Sequence, residues 1–310
     1  MVPRIVTLTL NPAVDTAFEA DWVVPQHKIR TDHETHDPGG GGVNVARVLT
    51  EFGVDTCAVV LAGGVTGHFL VEMLAGYGVP CHPVPIAGTT RISTTVHDRA
   101  SGDEYRFVPE GPVISATEFD AACAALAAEA GGWVVLSGSL PRGVAVDAYA
   151  RIAAQEAIRG RHVVLDTSGE ALKAALGHGL ALIKPSLREL EGLVGKCSPE
   201  DAARDLVLSG AAERVAVSLG AEGALIASAA GVVRRPAIPV AVRGTVGAGD
   251  SFLAAMTLAL ATGSDAEDAL IWGLAAGAAA VSQSGTAHPR RSDVEALYRV
   301  ARAANDSTPR

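Results

Sequence analysis

The chain has 310 residues, of which 48% are hydrophobic, and a formal net charge of −9. This charge leaves no global basic field to attract nucleic acid or an anionic membrane. The four cysteines, Cys57, Cys81, Cys123 and Cys197, show no C-x-x-C spacing, so we expect neither a disulfide framework nor a zinc site. Without a signal-peptide pattern or an apolar run of membrane-spanning length, the expected location is the cytoplasm.

Six short runs rich in valine, isoleucine and leucine recur along the chain. They are IVTLTL at 5–10, CAVVLAG at 57–63, WVVLSG at 133–138, HVVLD at 162–166, LALIKP at 180–185 and RVAVSLG at 214–220. Because these runs are apolar throughout, each is predicted to be a strand that is covered on both faces. Helical patterns lie between them, so the sequence predicts a mostly parallel sheet with helices on both sides.

Two segments, residues 11–38 and 89–109, break this pattern. They are polar and charged, and they alternate in the manner of half-exposed strands, with a hairpin turn signal in SGD at 101–103. We predict that both segments form a small separate β-sheet. This sheet would cover a core made of residues 1–10, 39–88 and 110–310, as a lid that excludes water from a ligand. The pattern also allows these strands to extend the edge of the main sheet.

The segment PGGGGVNVARVL at 38–49 is a glycine run that enters a helix. Glycines such as Gly40 and Gly41 let a backbone approach a ligand closely, and Asn44 could hold a hydroxyl or phosphate oxygen. Asp15, a few residues after the first strand, is placed to accept hydrogen bonds from sugar hydroxyls. A turn aspartate that satisfies its own backbone explains Asp15 equally well.

Four basic residues lie in or beside the predicted lid, namely Lys28, Arg30, Arg91 and Arg106. Arginine suits bidentate recognition of phosphate, so these residues could form a phosphate pocket in an otherwise acidic chain. Scattered surface cations are the alternative interpretation.

Polar residues also follow the later strands. Lys184 stands at a strand end, and Glu189 follows in the first turns of a helix, where a carboxylate can hold Mg²⁺ directly or through water. VSLGAEGAL at 217–225 offers a flat, small surface on which an adenine nucleotide could lie. SGSLPRGV at 137–144 adds Ser139 to the same rim.

Residues 244–252, GTVGAGDSF, place Asp250 directly after a glycine-rich turn and at the start of an apolar helix. Such a turn leaves backbone N–H groups pointing outward at the positive end of the helix dipole, where they attract phosphate. A carboxylate among these amides is suited to take a proton from a hydroxyl that receives a phosphoryl group. An aspartate that only caps the helix is the alternative.

Taken in order, seven segments resemble the ribokinase-like pfkB family of carbohydrate kinases across essentially the whole chain. They are TLNPAVD, PGGGGVNVAR, SGSLPRGV, DTSGEAL, KPSLREL, VSLGAEGAL and GTVGAGDSF. Within the family, GGGGVNVAR and EYRFVPEG are most similar to the minor-type ATP-dependent 6-phosphofructokinases. The resemblance implies a three-layer α/β/α core with a mostly parallel sheet and a β-sheet lid, and a homodimer formed through that lid. It also implies MgATP as the phosphoryl donor and a sugar phosphate as the acceptor.

The resemblance further implies roles for individual residues. Asp250 would be the catalytic base, with an anion hole formed by Gly247, Ala248 and Gly249. The sugar phosphate would be bound by Asp15, Lys28, Arg30, Gly40, Gly41, Asn44, Arg91, Arg106 and Ser139. The nucleotide would be bound by Lys184, Ser186, Glu189, Ser218, Gly220, Gly223 and Thr245, and Glu189 would hold its Mg²⁺. Ser186 stands where the family usually has asparagine. Many members bind potassium beside the anion hole, through carbonyls before GAGD and near SQSGT at 282–286, which makes K⁺ a candidate activator.

Fructose 6-phosphate, phosphorylated at its C1 hydroxyl, is the leading acceptor. A 1-phosphofructokinase and a tagatose-6-phosphate kinase of the same family remain open. An NAD-dependent oxidoreductase is disfavoured, because NPAVD rather than a dinucleotide fingerprint follows the first strand. A non-catalytic sugar-phosphate sensor is disfavoured by the intact Asp250.

Overall fold

The computed structural model describes residues 2–244, 246–283 and 288–306, with side chains described as far as residue 303. The strands in these ranges are β1 (Ile5–Thr9), β2 (Ala13–Ala20), β3 (Thr31–Gly39), β4 (Thr56–Ala62), β5 (Cys81–Pro85), β6 (Arg91–Asp98), β7 (Glu104–Phe107), β8 (Trp133–Ser137), β9 (His162–Asp166), β10 (Leu180–Ile183), β11 (Val215–Ser218), β12 (Ala224–Ser228) and β13 (Gly231–Arg235). The helices are α1 (Gly41–Glu51), α2 (Gly64–Gly76), α3 (Ala116–Ala128), α4 (Ala148–Ile158), α5 (Gly169–Ala175), α6 (Leu187–Val194), α7 (Pro199–Leu208), α8 (Ala248–Ala261), α9 (Ala266–Val281) and α10 (Arg291–Asp306).

In the described ranges, nine strands form the large sheet, in the order β13-β12-β11-β10-β9-β8-β1-β4-β5. All six strands predicted from the sequence are present in it. The neighbours from β5 to β11 pair in parallel. At one edge, β12 is antiparallel to both β11 and β13. The prediction of a mostly parallel sheet is therefore confirmed, and the carboxyl ends of seven strands meet along one rim.

The central strands are apolar throughout because each side faces a layer of helices. Val163 and Leu165 of β9 pack into the cluster that contains residues of α3 to α7. Val164, which lies between them, packs into the opposite cluster with residues of α1, α8, α9 and α10. Successive side chains of a strand point to opposite faces, so this alternation gives a three-layer α/β/α arrangement.

Helix α8 is buried along most of its length. Phe252, Leu253 and Met256 belong to the same apolar cluster as Val45 of α1 and Leu270 of α9. This packing fixes the position of α8, and therefore of its N-terminus, relative to the carboxyl rim of the large sheet.

The two polar segments form a separate four-stranded sheet in the order β3-β2-β6-β7. Its strands β2 and β6 pair in parallel, and β6 and β7 form the predicted hairpin, in which the Asp98 N–H donates to the Asp103 carbonyl at 2.9 Å. The separate sheet is thus confirmed, and the alternative of an extended main-sheet edge is wrong. We call this four-stranded unit the small sheet.

No helix within the described ranges combines the length and the apolar character that crossing a membrane requires.

Candidate active site

Helix α1 begins unusually close to the large sheet. A β-carbon at residue 41 would lie 2.1 Å from the Oγ of Ser137, at the end of β8, so the close approach requires glycine at that position. Ser137 is buried and cannot move aside into solvent. The glycine run therefore serves packing between α1 and the sheet, and it brings Asn44, in the first turn of α1, to the carboxyl rim.

The N-terminus of α8 lies at the same rim. Gly247 caps the helix in the left-handed conformation, with φ of 76°, and α8 begins at Ala248. The first N–H groups of any helix have no acceptor within the helix, and Gly249 is exposed to solvent. This turn is therefore a site where an anion can be held by backbone amides and by the helix dipole.

Asp250 lies in the first turn of α8. Its Oδ2 accepts a hydrogen bond from Nδ2 of Asn44 at 2.8 Å. Burial, and then the negative charge of Asp166, raise the pKa of Asp250 to about 7, although Asn44 and Lys184 act in the opposite direction. A carboxyl group with a pKa near neutrality is well suited to general-base catalysis.

A buried ion pair lies beneath this turn. Lys184 follows β10, and its Nζ is 3.3 Å from Oδ1 of Asp166 at the end of β9. The same Nζ would be 3.5 Å from a β-carbon on Gly249, so the ammonium group lies against the turn. Burial favours a lower pKa for Lys184, but the carboxylates of Asp166 and Asp250 outweigh it and raise the pKa. A positive charge is thus held under the anion-binding amides.

A cavity of ≈ 290 Å³, which we call the polar cavity, lies between the small sheet and the core. Its lining includes Asp15, Gly40, Gly41, Asn44, Arg91, Arg106, Gly247 and Asp250, all of them predicted site residues. The sequence did not single out Asp37, Ser93, Thr94 and Thr95, which also line it. Strand pairing explains why these side chains lie together, because residues opposite each other in neighbouring strands share a face of the sheet. Asp15 is opposite Ser93, and Thr95 is opposite Arg106.

The two arginines of the polar cavity differ. Arg91 donates to the backbone carbonyls of Pro109 at 2.9 Å and Asn11 at 2.8 Å, so much of its hydrogen-bonding capacity holds the loops together. Arg106 is exposed and belongs to the face that carries Asp15. Burial raises the pKa of Asp15, and the positive charges of Arg106 and Arg91 oppose that rise. Arg106 is consequently the better placed of the two to meet a bound anion.

A second cavity of ≈ 530 Å³, the apolar cavity, adjoins the other side of the α8 N-terminus. Three predicted nucleotide residues line it, namely Ser218, Gly220 and Gly223, together with apolar side chains that include Ile238, Val240, Phe252 and Leu274. Ala248 and Gly249 line this cavity, whereas Gly247 and Asp250 line the polar one. The free amides of α8 therefore separate the two cavities.

Ser186 and Glu189 form a capping box at the start of α6. The Glu189 Oε2 accepts from the backbone N–H of Ser186 at 2.8 Å and from its hydroxyl at 2.9 Å, while Ser186 Oγ accepts from the Glu189 N–H. Ser186 also pairs with Ser218 through an isolated parallel bridge, which places the box next to the apolar cavity. One carboxylate oxygen of Glu189 is thus committed to the helix cap.

Three of the described residues that were predicted to bind the sugar phosphate do not line the polar cavity. Lys28 and Arg30 are exposed in the connection between β2 and β3, so the single chain does not bring them to the cavity. Ser139 lies outside the lining and accepts a hydrogen bond from Nδ2 of Asn11 at 3.3 Å. Thr245 was predicted to bind the nucleotide, and the loop at 282–286 was expected near a potassium ion. Thr245 and residues 284–287 lie outside the described residues.

The sequence is similar to known proteins along almost its whole length. A family model described as pfkB family carbohydrate kinase matches residues 8–293. The ATP-dependent 6-phosphofructokinase isozyme 2 of Mycobacterium tuberculosis is 42% identical over 306 residues, which cover 96% of this chain and 90% of that protein.

The fold is also similar to that of phosphofructokinase-2 from Escherichia coli. Its structure in complex with fructose-6-phosphate has a TM-score of 0.91 at 38% identity, covering 97% of this chain and 100% of that one. Its complex with potassium has a TM-score of 0.93 at 40% identity, with the same coverage. A tetrameric inhibited form of that protein has a TM-score of 0.90 at 39% identity, again with the same coverage.

Proposed function

The chain belongs to the pfkB family of carbohydrate kinases, and from this premise we propose that it transfers the γ-phosphoryl group of MgATP to the C1 hydroxyl of fructose 6-phosphate. The observation that carries the proposal is the N-terminus of α8. Its amides lie between a polar and an apolar cavity, and Asp250 faces the polar one. A donor nucleotide and a hydroxyl acceptor bound on the two sides would meet at a group of anion-binding amides beside a base.

The polar cavity suits a phosphorylated sugar. Asp15 and Asn44 offer an acceptor and an amide for sugar hydroxyls, and Arg106 offers a guanidinium for the phosphate group. The Escherichia coli relative was crystallised with fructose-6-phosphate. We propose that fructose 6-phosphate binds with its phosphate group toward Arg106 and its C1 hydroxyl toward Asp250. This orientation gives Arg106 and Asp250 a partner each.

The apolar cavity suits an adenine base. Its glycines and apolar side chains offer a flat surface, and Gly249 at its edge leads to the amides of α8. The adenine would lie against Gly220 and Gly223, and the triphosphate would extend toward α8. Lys184, which lies against Gly249, supplies positive charge for the phosphate oxygens.

The carboxylates near this edge fit a magnesium ion. Mg²⁺ prefers oxygen ligands and is commonly held by one or two carboxylates together with substrate phosphates and water. Glu189 keeps one carboxylate oxygen outside the capping box, and Asp166 is electrostatically coupled to it. We therefore assign Glu189 and Asp166 as the residues that would hold the ion, directly or through water. When bound, Mg²⁺ would neutralise charge on the triphosphate oxygens.

The proposed chemistry follows from these positions. Asp250 accepts the proton of the C1 hydroxyl as that oxygen attacks the γ-phosphorus, and the bond between the γ-phosphorus and the bridging oxygen of ADP breaks. The amides of Gly247, Ala248 and Gly249 and the ammonium group of Lys184 stabilise the negative charge of the transferring group. The small sheet covers the acceptor and limits the access of water.

One panel of acceptors tests the proposed function. ADP release is measured under the same MgATP concentration with fructose 6-phosphate, fructose 1-phosphate, tagatose 6-phosphate and unphosphorylated fructose. We expect the highest kcat/KM with fructose 6-phosphate and a loss on the order of 10²-fold with fructose, since a site built to pair with a polar group rejects the analogue that lacks it. Removal of Mg²⁺ with EDTA should abolish ADP release. Repeating the panel with and without K⁺ measures whether this ion activates the enzyme.

Other outcomes of the panel would contradict the proposal. A higher kcat/KM with fructose 1-phosphate or tagatose 6-phosphate would assign the chain to a different kinase activity of the same family. ADP release that no acceptor accelerates would support a non-catalytic sensor.

We further propose that the small sheet forms a homodimer with a second copy of this chain. Ile92, Tyr105 and Phe107 are 44%, 37% and 60% exposed. Strand register places them together on the face opposite Asp15 and Arg106. Sedimentation velocity should give a dimer that Phe107→Asp weakens, with Ile158→Asp, an exposed apolar residue of α4, as the control. A wild-type monomer at micromolar concentration would contradict the proposal.

A further inference from the structure

The hydrogen bond between Asn44 and Asp250 joins two residues that are 206 positions apart in the chain. Asn44 lies in the first turn of α1 and Asp250 in the first turn of α8. An ionised carboxylate can only accept hydrogen bonds, so Asn44 must present its NH₂ group to Asp250. We propose that Asn44 is a positioning residue for the base, which aims the Asp250 carboxylate into the polar cavity and favours its ionised form. The inference rests on the proposed function only in naming Asp250 as the base.

The surroundings of Asp250 explain why a neutral donor is useful there. Asp166, at the end of β9, and Asp15, in β2, both place negative charge near Asp250, and burial adds to their effect. These three influences favour the protonated carboxyl group, which cannot act as a base. The Asn44 amide opposes them and adds no charge to the cavity that must admit an anionic sugar phosphate.

The cations near Asp250 do not replace Asn44. Lys184, which follows β10, also favours the ionised form of Asp250, but it acts through its charge and its Nζ lies 3.3 Å from the carboxylate of Asp166. Arg91 and Arg106 of the small sheet oppose the rise in the pKa of Asp15, and neither is among the leading influences on the pKa of Asp250. Among the described side chains, Asn44 alone donates a hydrogen bond directly to the Asp250 carboxylate.

The backbone holds Asn44 in place for this role. The Asn44 N–H donates to the carbonyl of Gly40 at 2.9 Å, which closes the first turn of α1. That turn packs directly against Ser137, because the glycine at position 41 allows a close approach. The Asn44 amide therefore reaches α8 from a fixed point on the large sheet, and a mobile loop is not required.

A role limited to holding the sugar predicts a different behaviour. If Asn44 only contacted the acceptor, its loss would raise KM for the sugar phosphate and leave the pKa of Asp250 unchanged. If Asn44 positions the base, its loss must raise the pKa of Asp250 even in the enzyme without substrates, because the ionised form loses a donor.

The test is a ¹³C NMR titration of aspartate carboxyl groups in the full-length free enzyme, with the Asp250 signal assigned by its disappearance in Asp250→Asn. We expect Asn44→Ala to raise the Asp250 midpoint by about one pH unit, the size expected for a lost hydrogen bond to a charged group. Asn44→Asp, which keeps the shape but adds a like charge, should raise it further. Asn11→Ala, which removes an amide bonded to Glu110 and Ser139 instead, should leave the midpoint unchanged.

The kinetic counterpart is the acid limb of kcat/KM for fructose 6-phosphate, which should move to higher pH by the same amount in Asn44→Ala. A midpoint that is unchanged in both Asn44→Ala and Asn44→Asp would overturn the inference. If Asn44→Ala does not fold, Asn44→Leu replaces it in the titration, since leucine keeps the approximate size of the side chain, removes the N–H donor and adds no charge. A shifted midpoint in an enzyme that shows no ADP release would instead support the positioning of Asp250 and contradict the proposed function.

Discussion

Replacing Asp250 with asparagine is expected to lower kcat by at least about 10²-fold, the lower end of what general-base catalysis contributes. Asparagine has the same shape but cannot accept the proton of the C1 hydroxyl. The measurement is ADP release at saturating MgATP and fructose 6-phosphate. Acceptor binding, followed by calorimetry, should change little, because the amides of α8 and Arg106 are untouched.

Two controls make the Asp250 result specific. The wild-type enzyme should lose activity as the pH falls through about 7, because only the ionised Asp250 can accept a proton and burial has raised its pKa to that value. The residual activity of Asp250→Asn should lack this acid limb. A variant that turns over near the wild-type rate would remove Asp250 from the role of base.

Replacing Arg106 with alanine is expected to raise KM for fructose 6-phosphate by about 10- to 100-fold, because a hydrogen-bonded contact to a charged group is lost. KM for MgATP should stay close to its wild-type value, since Arg106 lines the polar cavity and does not line the apolar cavity. Steady-state kinetics with each substrate varied in turn give both constants.

Matched comparisons identify the phosphate group as the partner of Arg106. Arg106→Lys keeps the charge but loses the planar fork, so its effect should be smaller than that of alanine. Activity with unphosphorylated fructose should fall far less in Arg106→Ala than activity with fructose 6-phosphate. Equal increases in both Michaelis constants would place Arg106 outside the acceptor site.

Most of the buried strands of the large sheet could be predicted from the sequence; β12, which is also buried and apolar, was missed because its start was interpreted as part of a nucleotide surface. Val163, Val164 and Leu165 are all apolar because helices cover both faces of β9, and continuous apolar runs of this kind reveal a central strand. The edge strands were missed because they lack such runs. β5 contains two prolines and polar residues, and β13 is partly exposed, so neither carries a continuous apolar run.

The candidate site could be predicted wherever a glycine pattern marked it. The turn before Asp250 and the run that leads to Asn44 were both apparent, and the structure brings the two together at 2.8 Å. Their direct contact could not be inferred, because 206 residues separate them and only the packing of α1 beside α8 makes them neighbours.

Residues with ordinary local patterns were missed. Thr94 and Thr95 look like any half-exposed strand, and the register of β2 against β6 decides that they line the polar cavity. Asp166 closes a predicted strand in DTS, and that signal could have identified it as a partner for Lys184. Lys28 and Arg30 show the opposite case, because their charge suggested a phosphate site to which the single chain does not bring them.

The most direct test of the account is a crystal structure of the enzyme with fructose 6-phosphate and a non-hydrolysable MgATP analogue. We predict that a carboxylate oxygen of Asp250 lies about 2.6–3.2 Å from the C1 hydroxyl, the range within which a base can take a proton. The terminal phosphate of the analogue should receive hydrogen bonds from the amides at the start of α8. An Asp250 carboxylate turned away from both substrates, or an acceptor bound outside the polar cavity, would contradict the account.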